Sequence, residues 1–174
     1  MYRTSNDPRF TRSRDALQRA FMDLTLEQGH PDPTVKAITE RAGVNRMTFY
    51  AHYDSVRDIL QEMVDAMIEE ILGDSGADGM ETVLRRATDC MAREMDFFRV
   101  VAADGHSGPY REGFRRAFMV VIGGEARREG KAMDPVRLDV IASGVTYAYF
   151  DWLTGRFGDM GLDDFCSRLA LAVR

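Results

Sequence analysis

The segment TVKAITERAGVNRMTFYAHY, residues 34–53, constrains the fold of this chain more than any other. Apolar residues of its first half recur at spacings of three and four: Val35, Ile38 and Ala42. This spacing predicts a short helix with one buried face. Gly43 stands where a chain leaves a helix with positive φ, and Asn45 is a typical N-cap for a second helix. The segment therefore predicts two short helices joined by a tight turn, a helix-turn-helix.

The second helix of this motif is unusually polar. Phe49 and Tyr53 are expected to face the interior. The other side chains are rich in groups that bind phosphates and base edges: Arg46, Met47, Thr48, Tyr50 and His52. This composition favours a helix that enters the major groove of DNA. The alternative is an exposed polar helix of an unrelated bundle.

The distribution of charge matters more than the net charge of −5, which by itself argues against nucleic acid binding. Residues 1–19 contain five arginines against two aspartates, whereas residues 54–72 contain one arginine against six acidic residues. The acidic residues are concentrated away from the proposed contact helix. This arrangement permits specific binding while it limits loose attachment to phosphate chains.

Helical periodicity extends along the chain without strand-like alternation or repeats, so the predicted fold is all-α. A first helix is expected from an N-cap at Thr11 to Gln28, and a fourth after Asp54-Ser55. Later helices are expected over residues 80–103, 110–128, 135–157 and 162–173, with a kink or early end at Gly123-Gly124. The predicted organisation is a flexible N-terminal arm (1–10), a three-helix helix-turn-helix DNA-binding domain (11–56) and a C-terminal helical effector-binding and dimerisation domain (57–174).

The last two predicted helices suggest self-association. The helix that begins at Pro135 is apolar on several faces, and the final helix has a continuous apolar stripe. A chain of this size has too little other surface to cover both. We therefore expect a homodimer that pairs these helices with their mates in a four-helix bundle. The alternative is a monomer that covers both faces internally.

Several other classes of function are disfavoured. No apolar run approaches the length of a membrane span, and the N-terminus lacks the apolar core of a secretory signal, so a cytoplasmic location without membrane contact is expected. The strings GDSG (73–76) and GHSG (105–108) resemble hydrolase motifs, but that chemistry needs a strand-to-helix turn. The three histidines lack metal-ligand spacing. No catalytic residue, metal site or cofactor is predicted, and a helical enzyme that uses either string remains an alternative.

The sequence of residues 34–53 resembles the core of the TetR family of transcriptional regulators, which follows a TVxxIxxxAGVxxxTFYxHF-like pattern. The match extends over roughly Thr11 to Leu60, and the remainder is similar only in its helical composition. The string RAGVNRMTFYAHYDSVRDIL also resembles the branch related to dihydroxyacetone-kinase regulators. The family resemblance implies a homodimeric repressor that binds a pseudo-palindromic double-stranded DNA operator and leaves it when a small-molecule effector binds. The alternative is a DNA-binding regulator without a small ligand, controlled by a protein partner or acting as an activator.

The resemblance also implies particular DNA contacts: Thr34, Lys36, Arg46, Met47, Thr48, Tyr50 and His52. Arg46, Met47 and Thr48 match base readers, whereas Tyr50 and His52 match phosphate contacts. A lysine that the family often has at the start of the fourth helix is replaced here by Val56. Arg57 beside it, or Arg12 and Arg14 in the first helix, are candidates to supply the missing phosphate contact.

The effector site is the other implication of the resemblance. Met and aromatic side chains of the second domain are candidate lining residues: Met91, Met95, Phe98, Phe114, Phe118, Tyr147 and Trp152. Methionine can reshape around a ligand. The alternative is that these side chains pack against one another as ordinary core.

Overall fold

The computed structural model describes residue 3 and residues 7–72, 79–104 and 108–173. The predicted all-α fold is confirmed, since nine α-helices account for most of these residues. They are α1 (Pro8–Gln28), α2 (Val35–Ala42), α3 (Arg46–His52), α4 (Arg57–Leu72), α5 (Met80–Arg93), α6 (Met95–Ala103), α7 (Gly108–Arg128), α8 (Pro135–Leu153) and α9 (Leu162–Ala172).

The chain divides into two compact units, residues 1–63 and 64–174, and the division falls within α4. The first unit contains α1, α2, α3 and the first turns of α4. Its core holds the predicted apolar faces: Leu17, Ala20, Phe21, Leu24, Ile38, Phe49 and Tyr53. Gly29 and Gly43 end α1 and α2 with φ of 70° and 66°, as predicted. The helix-turn-helix is thus built around one apolar core.

The first helix begins earlier than predicted. The side chain of Asp7 accepts a hydrogen bond from the backbone N–H of Arg9 at 2.8 Å, so Asp7 rather than Thr11 is the N-cap of α1. Pro8 occupies the first helical position, where its missing N–H leaves no hydrogen bond unmade. Of the predicted flexible arm, residues 1, 2 and 4–6 lie outside the described residues, and residues 8–10 are helical.

The second unit differs from the prediction in its helix boundaries. The single helix expected over residues 80–103 is two helices, α5 and α6, separated at Glu94 (φ −126°, ψ 44°). Helix α8 ends at Leu153, before the predicted end at residue 157, and Gly155 follows with φ of 75°. Most of the two hydrolase-like strings, residues 73–76 and 105–107, lies outside the described residues.

The prediction of an early end at Gly123-Gly124 is wrong, because α7 continues through both glycines to Arg128. A Cβ on Gly123 would lie 3.2 Å from Leu138 Cδ2 on α8. This separation is tighter than ordinary van der Waals contact. Gly123 therefore allows α7 and α8 to approach each other closely, which is the physical reason for a glycine inside this helix.

Helix α8 buries one face and exposes another. Ala142, Val145 and Tyr149 lie in the core, whereas Val136, Val140 and Tyr147 are exposed on another face of the helix, with Val140 64% exposed. Leu171 is exposed on α9. The outer surface of α8 is therefore partly apolar, whereas the predicted apolar stripe of α9, with Phe165, Cys166 and Leu169, is buried within the chain. Among the helices of the described chain, none is both long and apolar enough to span a membrane.

Candidate DNA-binding interface

Side-chain caps set the start of both helices of the motif, and the cap of the second helix is the predicted Asn45. The backbone N–H of Ala37 donates to Thr34 Oγ1 at 3.2 Å, and that of Thr48 donates to Asn45 Oδ1 at 2.8 Å. Each cap satisfies an amide that has no partner within its helix. The first turn of α3 is therefore anchored at a defined residue.

The inner face of α3 consists of three residues, Phe49, His52 and Tyr53. His52 is only 1% exposed, so the prediction that its side chain faces outward to contact phosphate is wrong. Its ring lies 3.8 Å from that of Phe10, and its Nε2 lies 2.8 Å from Ser13 Oγ. Burial lowers the pKa of His52 below its ordinary value of 6.5, which favours the neutral ring at pH 7. The three-residue spacing from Phe49 was the sequence signal that indicated this burial.

The outer face of α3 presents Arg46, Met47 and Tyr50. Met47 is 82% exposed and Tyr50 is 52% exposed, and Arg46 is also exposed. Positions i, i+1 and i+4 share one side of a helix, so these three side chains lie together. Among the described residues, no hydrogen bond or ion pair engages the Arg46 guanidinium.

Thr48 is half-buried, and its hydroxyl donates to Asn45 Oδ1 at 3.1 Å. The hydroxyl proton of Thr48 is therefore already used in the hydrogen bond to the capping residue Asn45. What Thr48 offers to a partner is mainly its methyl group, which is suited to apolar contact with a thymine methyl.

Two predicted contacts on α2 are exposed. Thr34 accepts the capping bond but keeps its hydroxyl proton for another acceptor. Lys36 lies 3.8 Å from Glu40, an exposed pair of the kind that contributes little stability. Thr34 therefore remains available to a phosphate, and Lys36 remains available to a base edge.

The basic residues proposed to replace the missing lysine differ in availability. Arg12 and Arg57 are exposed, and Arg12 Nε donates to Pro8 O at 3.2 Å. Arg14 is half-buried, and its guanidinium donates twice to Asp15 Oδ1, at 3.0 and 3.1 Å. Burial acts to lower the pKa of Arg14, but the hydrogen bonds to Asp15 raise it above the usual value. Arg14 is therefore already paired, whereas Arg12 and Arg57 keep exposed side chains.

A buried network of hydrogen bonds lies on the inner side of the helix-turn-helix, and the sequence did not indicate it. Tyr53 Oη donates to Glu62 Oε2 at 2.6 Å, and Gln18 Nε2 donates to the same oxygen at 2.7 Å. Glu62 is almost completely buried. Burial and the hydrogen bond to this carboxylate raise the pKa of the Tyr53 phenol. The network joins α1, the end of α3 and the start of α4.

The seven candidate effector-lining residues lie in separate places within the second unit. Met91, Phe114 and Phe118 surround an apolar cavity of about 20 Å³. Met95 and Trp152 line an open cleft of about 460 Å³, where Trp152 Nε1 donates to Met160 O at 2.9 Å. Phe98 is buried against Phe97 and Phe114, and Tyr147 is exposed.

A scan against protein-family models finds no match. A curated relative, the uncharacterized HTH-type transcriptional regulator YxbF of Bacillus subtilis (strain 168), is 39% identical over 67 residues. This match covers 38% of the present chain and only 18% of the relative's length.

Solved structures extend the similarity to the whole chain. A TetR transcriptional regulator from Streptococcus agalactiae 2603V superposes with a TM-score of 0.70 at 20% identity, covering 95% of this chain and 96% of that one. The dihydroxyacetone kinase operon activator DhaS gives a TM-score of 0.64 at 15% identity, with coverage of 92% and 93%. The fatty acid degradation regulator FadR from Bacillus halodurans gives 0.61 at 13% identity, with coverage of 98% and 96%. The chain therefore has the fold of the TetR-family transcriptional regulators, as its sequence resemblance predicted.

Proposed function

We propose that this protein is a homodimeric DNA-binding transcriptional regulator that acts in the cytoplasm and inserts α3 into the major groove. The observation that carries the proposal is the shared exposed face of Arg46, Met47 and Tyr50. The opposite face of the same helix is buried, so the orientation of these side chains is determined by the core. A guanidinium can donate two hydrogen bonds to guanine, and a thioether can contact a thymine methyl.

Selection of bound fragments from genomic DNA, followed by fluorescence anisotropy, tests this proposal. Arg46→Ala should weaken operator binding by about 1–3 kcal/mol and relax the preference for one base pair. Tyr50→Ala should weaken binding to all sequences more evenly. Arg156→Ala, which removes an exposed arginine from the second unit, is the control for loss of charge. Isotherms unchanged by Arg46→Ala would exclude α3 as the contact helix.

We propose further that α8 and α9 pair with the same helices of a second copy. The exposed apolar residues Val136, Val140 and Tyr147 on α8, and Leu171 on α9, support this interface. A two-fold dimer would present two α3 helices to half-sites about 34 Å apart, which matches a pseudo-palindromic operator.

Analytical ultracentrifugation at micromolar concentration tests the dimer. The wild-type chain should sediment as a dimer and Val140→Asp as a monomer. Leu26→Asp places the same charge on an exposed apolar position of α1 and should leave the dimer intact. A monomeric wild-type protein would exclude the proposed interface.

The proposed regulation is repression relieved by a small effector. An effector shifts the protein only if it prefers the conformation that does not fit DNA. The cavity among Met91, Phe114 and Phe118 has room for about one water molecule, so an effector would have to displace these side chains.

The alternative is a DNA-binding regulator without a small ligand, controlled by a protein partner, and the small volume of the cavity among Met91, Phe114 and Phe118 is compatible with it. Similarity to the operon activator DhaS supports activation as the other possible direction of control. A reporter gene behind the selected operator, measured with and without the regulator and candidate metabolites, distinguishes these modes. Lower reporter expression that metabolites restore supports the repressor, whereas expression that requires the regulator supports an activator.

A further inference from the structure

Arg3 lies against the C-terminal end of α3. Its backbone N–H donates to His52 O at 2.8 Å. One guanidinium nitrogen donates to Tyr50 O at 2.8 Å, and the other donates to Asp54 Oδ1 at 2.9 Å. The last carbonyls of a helix have no partners within it, and α3 has only seven residues. Arg3 therefore satisfies two carbonyls in a helix that is too short to be stable alone.

Helix α1 holds the same end of α3 through a different set of contacts. Phe10 packs against the ring of His52, and Ser13 Oγ lies within hydrogen-bond distance of its Nε2. We call Arg3, Phe10 and Ser13 the N-terminal brace. Phe10 and Ser13 contact the side chain of His52, and Arg3 forms hydrogen bonds to backbone carbonyls at the end of α3. The end of the helix is thereby fixed while the outward face stays open.

We propose that Arg3 is a positioning residue for DNA recognition, which acts through Tyr50 and Asp54 rather than by contacting phosphate itself. This inference rests on the proposed function of α3. The two guanidinium nitrogens that bond to Tyr50 and Asp54 point at the protein. The carbonyl that the Arg3 guanidinium engages belongs to Tyr50, whose side chain is one of the three on the contact face.

The physical consequence is a gain in preorganisation. A protein whose binding-competent conformation is only partly populated binds with an apparent dissociation constant equal to the intrinsic constant divided by the populated fraction. Without the guanidinium, the last turn of α3 should fray for part of the time. A tenfold fall in the competent fraction would weaken DNA binding tenfold.

Operator binding by wild-type protein, Arg3→Ala and Arg3→Lys, measured over a range of salt concentrations, tests the proposal. Arg3→Ala should bind about tenfold more weakly with an unchanged salt slope. Arg3→Lys should stay weak, because one ammonium cannot reproduce the forked contact to two acceptors. Arg9→Ala removes an arginine from the exposed first turn of α1 and should lose much less affinity.

The opposite results would overturn the proposal. A direct phosphate contact predicts that Arg3→Lys keeps wild-type affinity and that Arg3→Ala lowers the salt slope by about 0.9. Equal losses in Arg3→Ala and Arg9→Ala, or no loss in either, would also overturn it. In a double-mutant cycle with Asp54→Ala, the losses should be non-additive, and additive losses would show that Arg3 does not act through Asp54.

Amide hydrogen exchange of the free protein separates this inference from the proposed function. Arg3→Ala should increase exchange at Tyr53 and in the last turn of α3, without any DNA present. If the wild-type protein binds no specific DNA but Arg3→Ala still increases amide exchange in α3, the proposed function is wrong and the role of Arg3 in holding α3 is supported. Unchanged exchange would exclude the brace whether or not the protein binds DNA.

Discussion

The buried network around Glu62 makes the stability of the first unit depend on one phenolic hydroxyl. Tyr53→Phe removes the donor that lies 2.6 Å from Glu62 Oε2 and leaves Gln18 as the remaining donor described at that oxygen. A hydrogen bond to a charged group contributes about 1.5–3 kcal/mol. The phenyl ring fills the same space, so no cavity adds to the loss. We therefore expect the free energy of unfolding to fall by about 1.5–3 kcal/mol.

Urea denaturation at pH 7 and fixed protein concentration measures this change. With an m-value of about 1–3 kcal/mol per molar urea, the midpoint should fall by about 1 M. Trp152 is the only tryptophan and lies in the second unit, so its fluorescence reports on the surroundings of that side chain. Far-UV circular dichroism follows all helices. The destabilisation should therefore appear in the dichroism, and any difference between the two signals reports on the first unit.

Tyr50→Phe is the matched control, because it deletes the same hydroxyl from an exposed residue of the same helix. Its effect should stay within about 0.5 kcal/mol. The reasoning is refuted if Tyr53→Phe costs no more than this control. Adding Glu62→Ala to Tyr53→Phe should cost less than the sum of the single changes, since both remove the same bond.

Three further predictions concern stability. Asn45→Ala should lower the free energy of unfolding by about 1 kcal/mol by removing the α3 cap, whereas Asn45→Asp should not, and thermal melting compares the two. Gly123→Ala should not give the gain of about 1 kcal/mol usual for alanine in a helix, because its Cβ would press on Leu138, and a raised melting temperature would contradict this. The free energy of unfolding should fall as the pH drops below 6.5, because burial lowers the pKa of folded His52 and the unfolded chain then binds more protons. Urea titrations from pH 7.5 to 5.5 should show a weaker fall in His52→Gln, and identical pH profiles would exclude His52 as the cause.

Local features of the first unit were predictable from short stretches of sequence. The caps at Thr34 and Asn45 and the left-handed glycines at 29 and 43 each depend on a few neighbouring residues, so a local pattern contains the necessary information. The start of α1 was misplaced because Asp7 and Thr11 are both good caps. The proline after Asp7 was the signal that favoured Asp7, because proline is common at the first helical position, as it is after Asp134 at the start of α8.

Features that depend on distant partners were the ones that the sequence left undetermined. His52 was assigned to the surface as a polar residue, yet Phe10 and Ser13 bury it. In the sequence Glu62 is one of six acidic residues between positions 54 and 72, yet Tyr53 and Gln18 hold it in the core. In both cases a polar side chain is buried only because its hydrogen-bond partners come from another helix.

The sequence by itself determined the helical class, the helix-turn-helix and the exposure of Arg46, Met47 and Tyr50 on α3, but not the burial of His52. Periodicity and capping are local, and they specify these features before any tertiary contact forms. The tertiary structure decided that His52 completes the inner face of α3, that Arg3 binds the end of this helix, and that Gly123 lies against α8. Those outcomes depend on which groups approach within a few ångströms across long separations in the chain, and a one-dimensional pattern does not contain those distances.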